Sequence, residues 1–269
     1  MAGDTEAGSG LAGLADGTLD LIPTALALSD LGRREPGFAP YLAHIAALAE
    51  EAARGAGPEA AADCQGAALA AVMQRHYGGY PDETAEVGLA AAITARTGPA
   101  DTLGVLALAT ARQAGWRADA LAFPARFLLR LEGGDGRRII LDPAAGWREA
   151  GPPELRALLK AALGGQAELT PDHYAPLGNR EILVRLQNAA KHRLLRQGRI
   201  AEALAVVEAT LLFAPGQTAL WREAGMMHLR LDRLPAAVAA LEQFASRTGN
   251  PLARRRTVDL LHQLRGRLS

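Results

Sequence analysis

Two stretches near the C-terminus can be laid over each other: QGRIAEALAVVEATL at 197–211 and LDRLPAAVAALEQFA at 231–245. Ala203 and Ala237, Arg199 and Arg233, and the turn residues Gly198 and Asp232 all fall 34 positions apart. No other feature constrains the fold as tightly. A fixed period of this length marks a two-helix unit that cannot bury its apolar face alone and must stack on its neighbour. The small residue at 203 and 237 lets paired helices approach closely, and the Leu or Val that follows it packs inward. The period predicts one unit from Arg180 to Pro215, a second from Gly216 to Asn250, and a closing helix from Leu252 to Leu268 whose polar outer side caps the stack. A nonrepetitive bundle with a chance register is the competing reading.

Thirty-four residues is the tetratricopeptide period. Ahead of these repeats the chain is organised differently. Apolar residues at helical spacing predict helices over 18–29 and 38–54, then over 59–76, 82–96 and 101–115, with Gly78-Gly79, Gly98-Pro99 and Gly115 as stop signals and Asp101 or Thr102 as the cap of the last. The period then changes to two. RADALAF (117–123), RFLLRLE (126–132) and RRIILDP (137–143) read as strands, the last two joined by the GGDG turn, and 152–164 reads as a short helix. This places a flexible N-terminus at 1–17, a first domain at 18–164, a Gly- and Pro-bearing linker at 165–178 and the repeat domain at 179–269.

Formal net charge is zero, yet residues 1–178 carry 14 basic and 22 acidic side chains while 179–269 carry 15 and 7, leaving the halves at −8 and +8. A basic half suits an acidic protein segment, and the acidic half of the same chain offers it a counter-surface. Nucleic acid is the disfavoured partner, because no aromatic residues interleave with the arginines to make a stacking platform. Arginine outnumbers lysine 27 to 2, which fits a GC-rich bacterial coding bias. The single cysteine, Cys64, makes no internal disulfide, no Cys/His pattern has metal-ligand spacing, and no apolar run reaches a membrane span, so the expectation is a cytoplasmic protein without metal or cofactor. Cys64 and His76 are 12 positions apart on one helix, about 18 Å, which separates a nucleophile from its base. Cys64 reads as a small apolar core residue, Glu50-Glu51 as a solvated helix end, and Arg254-Arg255-Arg256 as a solvated face.

The order helix 101–115, strand, a strand bearing FPxxF, hairpin and LDP resembles the transglutaminase-like fold of the cysteine-protease class. More narrowly, Arg96, Gly98, Thr102 and Leu103 in R-x-G-x-x-x-T-L, then FPARFLLR (123–130), then Asp142, Pro143 and Gly146 in LDP-x-x-G, then ILVRLQN (182–188) leading into two tetratricopeptide repeats, is similar to the bacterial SirB family. The resemblance covers nearly the whole chain after residue 17. It implies an α+β fold: a helix-rich transglutaminase-like domain with a small antiparallel sheet, followed by an all-α repeat domain.

The resemblance also implies a triad. In working transglutaminase-like enzymes a cysteine at the head of the central helix attacks, a histidine on the next strand activates it, and an aspartate on the following strand orients the histidine. The SirB branch places a hydroxyl in the cysteine position, in GIPI(S/T)L, and keeps the histidine in FPGHF. Thr102 matches the hydroxyl, Arg126 stands where the histidine belongs, and Asp142 survives; Pro99-Ala100-Asp101 replaces the family's IPI. A guanidinium carries donors only and cannot act as a base. Loss of nucleophile or base from such a unit costs on the order of a millionfold in rate, about 8 kcal/mol.

Three functions follow from these residues. The leading one is a noncatalytic interaction or regulatory protein that binds a protein or acidic peptide through its repeats, with Trp221, Arg222, Arg230 and Arg233 as contact residues. An enzyme with a rearranged site and a nucleic-acid binder are the alternatives. At the degenerate triad, Arg126 and Asp142 are expected to form an ion pair; the other reading is an anion site made by Arg126 and the helix start near Thr102.

Overall fold

The computed structural model describes residues 19–29, 37–57, 60–78 and 88–267. The expected N-terminal segment 1–17 lies outside them, as do residues 82–87 of the fourth expected helix. The chain divides into two compact units: Asp20–Leu186 forms one, and residues from Gln187 onward belong to the other.

In the first unit, helices α1 (Leu21–Ser29), α2 (Ala39–Ala56), α3 (Ala62–His76) and α4 (Leu89–Ala95) precede the central helix α5 (Ala100–Gln113). Every residue of α5 from Thr102 to Ala111 is buried, the arrangement required of a helix that is apolar on all sides. Neither Asp101 nor Thr102 caps it. Pro99 holds the N-cap position with φ −58° and ψ 151°, and no side chain closes the end. Proline presets the turn into the helix, so α5 begins one residue before Asp101, and both candidate caps fall inside its first turn.

The sheet is an antiparallel meander, β1 (Arg117–Ala120), β2 (Leu129–Glu132), β3 (Arg138–Asp142) and β4 (Arg148–Glu149), in that spatial order. Alternation does what the sequence predicts: Ala118, Ala120, Leu129, Leu131, Ile139 and Leu141 turn into the core. GGDG closes the β2–β3 hairpin with Gly136 at φ 79°. Asp119 and Arg130 face each other across β1 and β2 and form an ion pair at 2.6 Å. After β4 comes α6 (Pro152–Leu163), which buries Leu155 and Leu159 against Leu121, Phe123 and Leu128. The segment expected as a linker returns to the sheet: Leu177 donates to Ala120, Ala122 donates to Ala175, and Leu121 bridges Pro176. Helix α7 (Asn179–Arg196) then carries the chain across the division between the units.

The second unit contains α8 (Ile200–Phe213), α9 (Thr218–Arg230), α10 (Leu234–Arg247) and α11 (Pro251–Gly266). The repeat is legible in the backbone. Gly198 and Asp232 both adopt left-handed φ, 74° and 59°, and Arg199 and Arg233 are the N-caps of α8 and α10 with nearly equal torsions. Ala203 and Ala237 are fully buried. A Cβ on Gly225 would come within 2.6 Å of Leu241 Cγ, so α9 and α10 meet where only glycine fits. The arginine run is exposed at all three positions, as expected of a solvated face, and Arg254 in addition donates from Nε to Ala245 and from Nη2 to Thr248, closing the end of α10.

Candidate functional site

The residues matching the triad sit at three places in the first unit. Thr102 is in the first turn of α5 with 3% of its surface exposed. Asp142 ends β3, and Arg126 lies in the turn before β2 rather than on a strand. That turn is set by Ala125, whose φ of 55° is left-handed. The family's FPGHF has glycine there, the residue that takes this conformation freely; alanine bears a cost of roughly 1–2 kcal/mol. Phe127 anchors the other side of the turn. It packs against Gly104, one turn into α5, where a Cβ would come within 2.6 Å of Phe127 Cε1 and closer still to Cδ1.

Held this way, Arg126 donates from Nε to Asp142 Oδ2 at 3.0 Å. The pair is made, through one hydrogen bond rather than two. Asp142 Oδ1 accepts from the amide of Ala144 at 2.9 Å, so both carboxylate oxygens are occupied in a side chain only 4% exposed. Thr102 makes no hydrogen bond to either residue among those described. The arrangement therefore pairs a cation, at the position that matches the family's base, with the carboxylate at the position that matches its orienting partner.

Two further charges belong to this site, and the sequence reading missed both roles. Asp101 has its carboxyl pushed above the ordinary range by burial, opposed by the charges of Arg185 and Arg126. Arg185, on α7, is pushed down by burial and held up by Asp101; its guanidinium lies 5.9 Å from the Phe127 ring and donates to Leu121 at 3.4 Å. An anion at the start of α5 would thus meet Asp101 beside it. Because the folded-state pKa of Asp101 is raised, protonating it favours the fold, and its ionised form costs stability at pH values above that pKa. Asp101→Asn is therefore expected to raise the melting temperature at pH 7, with the gain shrinking as the pH falls and the native carboxyl becomes protonated. A gain that grows on acidification would contradict this assignment.

A second polar cluster joins α2, α3 and α4. His44 Nε2 lies 2.7 Å from the Tyr77 hydroxyl and 2.6 Å from Arg96 Nη1, and His76 meets Glu51 at 2.7 Å. Burial, Arg96 and His76 push His44 below its usual pKa, and burial pushes Tyr77 up to about 12. Glu51, read from sequence as solvated, binds Arg75 and His76. Arg96 of the R-x-G motif ends α4 in left-handed conformation and lies over the Tyr77 ring, so it holds three helices together. Cys64 is exposed, contrary to the core position expected of it. No three His, Cys, Asp or Glu residues are grouped to hold a metal among the described residues, and no described helix is long and apolar enough to cross a membrane.

In the second unit the four expected contact residues are not equivalent. Trp221 is half-buried, its indole N–H donates to Pro215 at 2.9 Å, and Arg247 covers its ring at 5.2 Å. Arg222, Arg230 and Arg233 are exposed, as is Met226 between the first two on α9. Lys191 is the unexpected charge here: its side chain is 3% exposed and its ammonium pairs with Glu223 at 2.6 Å.

Comparison with known proteins agrees with both units. The sequence profile of a tetratricopeptide repeat matches residues 190–265. A UPF0162 protein of Xylella fastidiosa is 30% identical over 155 residues, covering 55% of this chain and 54% of the relative. A UPF0162 protein of Vibrio cholerae is 29% identical over 155 residues, 58% and 57% of the two chains. Protein SirB1 of Salmonella typhimurium is 27% identical over 149 residues, 55% of each, which accords with the SirB resemblance carried by the motifs. The chain thus spans about half the length of the curated relatives it matches. The profile of the transglutaminase-like superfamily matches residues 39–188, more than half of the chain and all of the elements that position Thr102, Arg126 and Asp142, and the protein belongs to that superfamily.

Proposed function

We propose that this chain is a noncatalytic interaction protein: a transglutaminase-like domain whose triad has become structural, joined to repeats that bind an acidic, extended protein segment. The observation carrying the first part is the Arg126–Asp142 ion pair at 3.0 Å. The carboxylate that would orient a base is bound to a group that cannot be one. The second part rests on the +8 charge of residues 179–269 and on the exposed Arg222, Arg230 and Arg233 of the repeats, with the half-buried Trp221 next to Arg222 on α9.

Both parts meet one experiment with two arms. Purified protein incubated with glutaminyl and ester substrates is expected to give no hydrolysis or transamidation above background, given the roughly millionfold cost of losing nucleophile or base. A rate abolished by Thr102→Ala would sink the noncatalytic reading. In parallel, a fluorescent Glu/Leu peptide should bind the full chain with salt-sensitive affinity, weakened about tenfold by Arg222→Glu/Arg230→Glu, a loss of about 1.4 kcal/mol. Binding indifferent to that reversal would remove the repeats as the acidic-segment site.

A further inference from the structure

The Arg126–Asp142 pair forms one end of a cavity of about 450 Å³ that runs between β4 and α6. That volume falls within the roughly 300–1,000 Å³ of small-ligand sites. Its floor is apolar and built from small residues: Ala145, Ala150, Ala157 and Ala161, with Leu158 among them. Ala157, Leu158 and Ala161 share one face of α6, beside the Leu155 and Leu159 face that is buried in the core.

Two guanidinium groups stand at the Asp142 end. Asp142 lies opposite Arg148 in the strand register and is paired with Arg126 through its side chain, and both arginines line the cavity. Each is tethered at Nε, Arg126 to Asp142 at 3.0 Å and Arg148 to the Ala145 carbonyl at 3.0 Å. Tethering at Nε leaves the Nη groups, which make no hydrogen bond among the described residues, as preset forks of the kind that match a carboxylate. Glu149 and Glu154 also line the cavity and have no ion-pair partner among the described residues. Counting Arg126, Arg148, Asp142, Glu149 and Glu154, the lining carries a formal charge of −1, which repels a polyanion and leaves the two arginine forks as the places that favour a carboxylate.

One feature selects a peptide over a free small acid. β4 is the terminal strand of the sheet, with no further strand on its outer edge among the described residues, and residues of this edge strand and of α6 line the cavity. We propose that the groove between β4 and α6 binds the C-terminal carboxylate of an otherwise uncharged, extended peptide. Arg126 and Arg148 hold the carboxylate, the small apolar floor takes the last side chain, and β4 lies alongside the peptide backbone. All residues lining this site belong to the first unit.

The test uses the immobilised full-length chain and two pools of N-acetylated tetrapeptides built from uncharged residues, identical except that one pool ends in a carboxylate and the other in a carboxamide. Retained peptides are quantified by mass spectrometry. The expected result is at least about tenfold retention of the acid pool over the amide pool, with small apolar final residues enriched. Arg148→Ala, which leaves the Arg126–Asp142 pair in place, is expected to abolish the preference without moving the melting temperature, whereas Arg222→Glu/Arg230→Glu leaves the preference intact. Equal retention of both pools, retention of neither, or an acid preference that survives Arg148→Ala overturns the proposal. An amidated pool carrying one internal Asp or Glu distinguishes the remaining source: its retention at the level of the free-acid pool overturns the terminal assignment.

Discussion

Arg126→Ala is expected to lower the unfolding free energy by about 3 kcal/mol, measured by urea denaturation at pH 7. Removing one partner of a buried pair typically costs roughly 3–5 kcal/mol because the other is left charged and unpaired. Asp142 fits that case: its side chain is 4% exposed and loses one of the two hydrogen bonds its oxygens accept. The low end applies because the Arg126 side chain is 33% exposed, so water reaches the vacated position. Asp142→Asn in the same background should return part of the loss, since the amide oxygen can still accept from Ala144 without a buried charge. The double-mutant cycle then isolates the pair from the packing of the arginine stem. A single-variant loss below about 0.5 kcal/mol would place the pair with ordinary surface contacts and would leave the cation at position 126 without a structural account.

This pair was legible in the sequence because two local signals, FPARF and LDP, fixed both positions and the GGDG hairpin placed them near each other. The repeats were legible for a related reason: a left-handed turn must recur in every unit, and Gly198 and Asp232 fall 34 apart with matching φ. Partners brought from a distance were not legible. Asp101 looked like a helix cap, since capping preference is local while its interaction with Arg185 depends on α7 returning to the head of α5. Glu51 looked solvated for the same reason, its partners Arg75 and His76 lying one helix further on. Trp221 was expected as a contact residue, and only the fold shows its N–H committed to Pro215. The groove left almost no trace, as Ala157 and Ala161 read as ordinary helix formers until α6 is set beside an edge strand.

Gly104→Val is expected to cost about 3 kcal/mol, enough to remove a large share of the stability of a domain this size. Helix propensity alone argues the other way, because glycine inside a helix is about 1 kcal/mol worse than alanine and somewhat worse than valine. Packing decides the sign. A Cβ at this position would fall within 2.6 Å of Phe127 Cε1 and 3.0 Å of its Cγ, so it meets the flat side of a ring rather than a movable chain end. Phe127 is 2% exposed and has nowhere to retreat without moving its own backbone. That backbone is the turn bearing Ala125 and Arg126, so displacement of the ring also pulls Arg126 from Asp142 and Arg185 from the Phe127 face. The loss should therefore be non-additive with Arg126→Ala: the double variant is expected to be less destabilised than the sum of the two. Strict additivity in urea denaturation would mean that the helix contact and the ion pair are independent. Coupling would establish that the close approach at Gly104 is what holds Arg126 against Asp142.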